Sequence, residues 1–197
     1  VTIGNGVTSI GASAFKDCKN LKSVTIGNSV TRIGAAAFWC ENLKNIYYNG
    51  TIEDWCNIKF RYGGDSNPMY FAEHFYILTE NNRYKELTEI TIPDNITTID
   101  HFQFYGFKKI TSITIPDSVT RIGIYAFSGC ESLTSINVSN QNYYFKSIDG
   151  NLYSKNGKIL IEYSGGKPEN TFVIPDSVTI IRGYAFSGCK NLTSITM

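Results

Sequence analysis

With 197 residues and 42% hydrophobic content, the chain is long enough to bury a substantial core, as one elongated body or as one to two compact domains. Its 18 basic and 17 acidic residues leave a formal net charge of +1, which offers no field to draw in nucleic acid or an anionic membrane. No apolar run approaches the roughly 18 residues that could cross a bilayer, so no direct membrane insertion is expected of this stretch.

Val1 opens directly into patterned sequence and Met197 lies within it, so the chain reads as part of a longer protein. The most rigid part of the pattern is V-T-x-I-G. Val7, Val30, Ile96, Val119 and Val178 lead five copies, separated by 23, 66, 23 and 59 residues. The unit is therefore 23 residues, and the two larger spacings hold one unit plus 43 and one unit plus 36 residues of irregular coil. Self-similarity at such a period is the signature of a stacked repeat architecture.

Within a copy, L-x-S-I-T-I alternates apolar and polar residues, the period of a half-buried strand. Leu21, Val24 and Ile26 point inward in the first copy, and Leu133, Ile136 and Val138 do so later. Pro93, Pro116 and Pro175 follow the strand, where a residue without an amide donor ends sheet pairing. Gly11, Gly34 and Gly123 then mark a sharp bend, although Asp100 and Arg182 occupy the same slot in two copies. After the bend, the pairs Ala14-Phe15, Ala37-Phe38, Ala126-Phe127 and Ala185-Phe186 predict a short helical turn and a row of stacked phenylalanines in the core.

Cys18, Cys40, Cys130 and Cys189 share one repeat slot, which Phe107 fills in another copy. A slot that takes either Cys or Phe is an apolar packing position, so free thiols are expected, including at Cys18 and Cys40. No spacing of Cys and His suits zinc, and no phosphate loop or dinucleotide fingerprint is present; neither metal nor cofactor is expected. Cys56 lies outside the register. With His74 it forms the only nucleophile and base pair that could be imagined, without an orienting acid or an oxyanion hole. The chain is therefore read as not an enzyme.

Two stretches break the period, about 47–86 and about 139–170. The first is dense in aromatics, among them Trp55, Tyr70, Phe71, Phe75 and Tyr76. It reads as an enlarged coil with its own small core; alternatively, outer aromatics such as Trp55 and Tyr70 stack on a sugar or grip a protein. In the second, Asn156-Gly157 is a two-residue hairpin signal.

The repeated I-P-D-S-V-T-R-I-G-I-Y-A-F-S-G-C-E-S-L-T-S-I from Ile115 to Ile136 resembles the unit of the BspA-like, or Treponema pallidum-type, leucine-rich repeat family. Y-Y-N-G-T-I-E-D-W-C-N-I from Tyr47 and D-G-N-L-Y-S-K-N-G-K-I-L-I from Asp149 look like variant units. The resemblance implies one α/β-type, strand-dominated leucine-rich-repeat solenoid over residues 1–197, with a parallel sheet on one face and two irregular insertions. It also implies a secreted or cell-surface protein engaged in attachment to host proteins or other cells. Side chains alternate across a strand, so the residues between the inward positions form the exposed face. Tyr47, Thr91, Thr114 and Asn137 represent it: hydroxyls and amides with one aromatic anchor. Such a face suits a protein partner recognised by shape and hydrogen bonds. A carbohydrate-binding module built on the insertion aromatics and a structural spacer are the alternative readings.

Overall fold

The computed structural model describes residues 1–60 and 63–197. Arg61 and Tyr62, inside the first irregular stretch, lie outside the described residues. Where the sequence alternates, short strands form with their apolar members buried: Val24 and Ile26 are sealed in Ser23–Ile26, whereas Ser23 and Thr25 remain partly open. A single strand of this kind cannot hide its inner face. Equivalent strands lie in parallel register, with Ile3 beside Ile26, Val24 beside Ile46, Ile90 beside Ile113 and Ile113 beside Ile136. Stacking at about 4.8 Å turns these isolated stripes into one core. The outcome is a strand-dominated solenoid of about eight turns.

The V-T-x-I segment of each coil adds a second, two-residue strand. Ser9–Ile10, Arg32–Ile33 and Lys59–Phe60 form one parallel ladder, and Thr98–Ile99 pairs with Arg121–Ile122 in another. The segment around each A-F pair is a turn, not the helical turn expected. Its amides alternate between bonds back along their own coil and bonds across coils: Lys16 N–H donates to the Ser13 carbonyl, whereas Phe15 N–H donates to the Ala37 carbonyl and Phe104 N–H to that of Ala126. The residue before each Ala-Phe pair, and before the equivalent Gln103-Phe104, adopts a left-handed conformation, at Ser13, Ala36, Phe102, Tyr125 and Tyr184, with φ between 51° and 68°. That conformation costs a non-glycine residue about 1 kcal/mol or more and breaks a helix. The inter-coil bonds offset it. The expected phenylalanine row forms only in part, as two stacked pairs, Phe15 with Phe38 at 5.2 Å and Phe104 with Phe127 at 6.2 Å, while Phe186 packs against Tyr163 and Phe172.

The bend glycines are set by how closely coils approach. A Cβ on Gly34 would lie 2.5 Å from the Ala12 nitrogen, and one on Gly123 would collide with the His101 backbone, whereas one on Gly11 would meet nothing. Asp100 and Arg182 each stand in a coil that follows an irregular stretch. Asp100 accepts from Lys59 Nζ at 2.5 Å, and Arg182 donates to the Ile122 carbonyl at 2.8 Å.

The first irregular stretch is a stacked layer. Thr51 and Asp54 form a reciprocal capping box that starts the helix Ile52–Asn57, whose inner face carries Trp55 and Cys56. The chain returns to the sheet as His74–Leu78, in parallel register with Asn45–Tyr48, then doubles back as the antiparallel strand Tyr84–Glu86. The second stretch is a double hairpin, Phe145–Ile148, Asn151–Ser154 and Ile159–Glu162, whose last strand pairs in parallel with Ile180–Ile181. Its two-residue turn is Asp149-Gly150, both at positive φ. At the expected site, a hairpin does form, but only Gly157 is left-handed and the turn is longer.

Coil contact predicts a position effect. Gly123→Ala should cost about 1–3 kcal/mol in urea unfolding, as overpacked sites do, while Gly11→Ala should stay within about 0.5 kcal/mol of the parent. Equal effects would contradict the close-approach account.

Candidate binding surfaces

Of the residues singled out for the strand face, Thr91, Thr114 and Asn137 fall side by side in one three-stranded sheet. The Asn137 side-chain Oδ1 accepts from Ser135 Oγ at 2.9 Å, so the polar row is partly ordered by its own hydrogen bonds. Tyr47 belongs to a separate five-stranded sheet, in register with Tyr76. Its ring stacks on Tyr76 at 4.9 Å and meets Tyr84 edge-on at 4.9 Å. Tyr84 donates its hydroxyl to Asn49 at 2.5 Å, and His74, stacked on Tyr76, bonds Glu86 at 2.6 Å. The anchor is thus a patch of Tyr47, Tyr76, Tyr84 and His74. The sequence does not place His74 and Tyr76 on the strand face because the coil that carries them is longer than the unit: Asn45 pairs with His74, 29 positions on. The alternation His-Phe-Tyr-Ile was the available signal.

The two insertion aromatics part company. Trp55 is fully buried, so it cannot offer its ring to a ligand and is withdrawn as a contact residue. It packs against Tyr48, Phe75 and Phe107, and its indole N–H donates to the Gln103 carbonyl at 2.9 Å while the Gln103 side-chain amide returns a bond to the Trp55 carbonyl. Gln103 occupies the slot that is Ala126 in the next coil, so the exchange bolts the irregular layer to the regular one above it. Tyr70, by contrast, is exposed and lies on the turn side of the solenoid, not on the strand face. There it joins a run of rings that sequence reading missed: Trp39 stacks on Tyr70, Tyr70 on Tyr105, Phe102 on Tyr125, and Tyr125 lies 4.0 Å from Tyr184. An aromatic directly before the Ala-Phe pair, at Tyr125 and Tyr184, was the visible trace.

Cys56 and His74 do not form a reactive pair. Burial seals Cys56 within the layer and pushes its thiol up to about 12, while His74 faces the strand surface beside Glu86. The repeat-slot thiols are free, as expected. Cys40 and Cys130 are buried and donate to the Phe15 and Phe104 carbonyls of the preceding coil. Cys18 departs from the buried reading: it is exposed. Among the described residues there is no cluster of His, Cys, Asp and Glu that could hold a metal ion, and no helix long and apolar enough to cross a membrane.

One carboxylate is misplaced for its chemistry. Glu162, in the last strand of the double hairpin, is buried, and desolvation holds its carboxyl well above the usual carboxylate range against the pull of Arg182.

Stacked coils of about 23 residues with parallel strands define the class of leucine-rich-repeat solenoids. Within that class, the chain belongs to the BspA-type leucine rich repeat family, whose model matches six copies over residues 1–82, 75–160 and 163–197. It is similar to a leucine-rich repeat protein from Eubacterium ventriosum, at 30% identity and a TM-score of 0.58 over 100% of this chain and 47% of that one. It also shares the fold of the pneumococcal vaccine antigen PcpA, at 18% identity and a TM-score of 0.54 over 97% of this chain and 56% of that one. A leucine rich cell surface protein from Faecalibacterium prausnitzii aligns at 25% identity and a TM-score of 0.45, over 97% and 65% of the two chains. The chain thus spans about half the length of the first two structures. No curated protein matches it.

Two measurements check these placements. Trp55→Ala should cost about 3–5 kcal/mol of stability, the scale of emptying a buried aromatic site; a change near zero would return Trp55 to the surface. For Glu162, a carboxyl raised in the folded state adds stability below its unfolded pKa of about 4.3 and loses it as pH rises toward the folded value. Glu162→Gln should therefore raise the melting temperature at pH 7.5 and lose that advantage near pH 4. A variant that melts lower at pH 7.5 would mean that Glu162 is ionised and paired.

Proposed function

We propose that this chain is a non-enzymatic binding module of a secreted or cell-surface protein, and that its strand face takes a protein partner such as a host or cell-surface protein. Family membership supports the setting. The observation that carries the site is the patch in which Tyr47 contacts both Tyr76 and Tyr84, on a strand surface where Ser, Thr and Asn are frequent. Tyrosine supplies large contact area at low entropic cost, and packed aromatic anchors ringed by near-neutral polar residues are the usual form of a protein-binding hot spot. Charge contributes little: the nearby Lys44 and Glu73 already pair with each other at 3.2 Å. The face thus favours recognition by shape and hydrogen bonding over electrostatic steering.

The test is attachment of protein-coated beads to epithelial cells and to a panel of purified extracellular-matrix proteins. Replacing Tyr47 and Tyr76 together with Ser should weaken attachment by about tenfold or more, the effect of losing one hot-spot contact. The exposed Tyr143→Ala, distant in sequence from the patch, should leave it unchanged. Attachment that survives the double substitution, in protein with unchanged circular dichroism, would favour the structural spacer.

A further inference from the structure

The aromatic run on the turn side ends at Trp39, and its ending is asymmetric. Tyr70 stacks on the indole at 5.4 Å and Phe71 meets it edge-on at 5.2 Å, both from the coil that follows. On the side of the preceding coil, no described aromatic ring covers it. What lies there is a cleft of about 270 Å³, lined by Trp39, Asp17, Lys19, Cys40, Glu41 and Asn42. Its walls are fixed by the coil contacts. Asp17 N–H donates to the Trp39 carbonyl at 2.9 Å, and the Asn42 side-chain amide donates to the Lys19 carbonyl at 2.8 Å.

The charged groups around this cleft remain available. None of the ion pairs among the described residues involves Asp17, Lys19 or Glu41. Carboxylates only accept hydrogen bonds, an ammonium only donates them, and an amide does both. Hydroxyls, which both donate and accept, match this mixed set, and a polyol carries several of them. It must also offer a flat apolar face to the indole. The volume is slightly below the range of drug-sized pockets and suits a single ring.

We propose that this cleft is a carbohydrate subsite, which stacks the C–H face of an uncharged hexose unit on Trp39 while Asp17, Lys19, Glu41 and Asn42 bond its hydroxyls. The chemistry disfavours the obvious competitor. A quaternary ammonium is held by several aromatic walls and has no use for Lys19, whereas here a single indole forms the aromatic wall. The assignment moves the carbohydrate contact from Trp55, which is buried, to the other tryptophan of the chain. It is independent of the strand-face reading, since Trp39 lies on a turn and the tyrosine patch on the sheet.

Saturation-transfer NMR and calorimetry on the intact chain, with gluco-, galacto- and manno-configured tetrasaccharides and choline as probes, decide the matter. At least one tetrasaccharide should bind saturably in the millimolar range and alter tryptophan emission, which Trp39 alone can report because Trp55 is buried. Trp39→Ala should weaken binding by about tenfold or more, Trp39→Phe by less, and Asp17→Asn should weaken it without altering the fold. The Tyr47, Tyr76 double substitution should leave sugar binding intact. No binding by any tetrasaccharide, binding unaffected by Trp39→Ala, or binding of choline alone would each overturn the proposal.

Discussion

Everything in this molecule follows from the approach of one coil to the next. A 23-residue unit exposes one apolar stripe that it cannot bury, and only a neighbour at strand-pairing distance removes that stripe from water. The same distance leaves no space for a side chain at Gly34 or Gly123. It carries the amides of the A-F turn to carbonyls of the adjacent coil, so a left-handed residue in each turn is held by bonds that the coil alone could not make. Cohesion and constraint are thus two effects of one spacing.

That view makes the exceptions intelligible. Asp100, Gln103 and Arg182 all break the repeat, and all sit in coils that follow an irregular stretch. Each uses the altered neighbour: Asp100 reaches Lys59, Gln103 exchanges bonds with Trp55, and Arg182 lies near the buried Glu162 while bonding Ile122. The irregular stretches are therefore layers with their own couplings to the coil above. Buried polar exchanges such as that of Trp55 and Gln103 hold register, because a slip by one residue would leave each donor unpaired in a dry core.

Much of this was legible in the sequence wherever a period carried it. The two-residue alternation of Ser23–Ile26 and the 23-residue return of V-T-x-I-G specify strand, inner face and stacking, and a slot shared by Cys and Phe specifies packing. Legibility failed where the period did. His74 and Tyr76 lie in an enlarged coil, so their pairing with Asn45 and Tyr47 could not be counted. Trp55 read as a surface ring because nothing local announces Gln103 as its partner across 48 residues. The left-handed slot was hidden because Ser, Ala, Phe and Tyr fill it, and none of them has the backbone freedom that makes glycine informative there.

The central claim is that the irregular stretches are stacked layers of one solenoid and not loops attached to it. Residue-resolved native-state hydrogen exchange tests this directly, because a stacked layer opens only with its neighbours. The amides of His74–Leu78, which bond into the sheet of Asn45–Tyr48, should be protected to the same degree as those of Ser112–Ile115 in the regular coils. Fast exchange across His74–Leu78 while the flanking coils stay protected would contradict it.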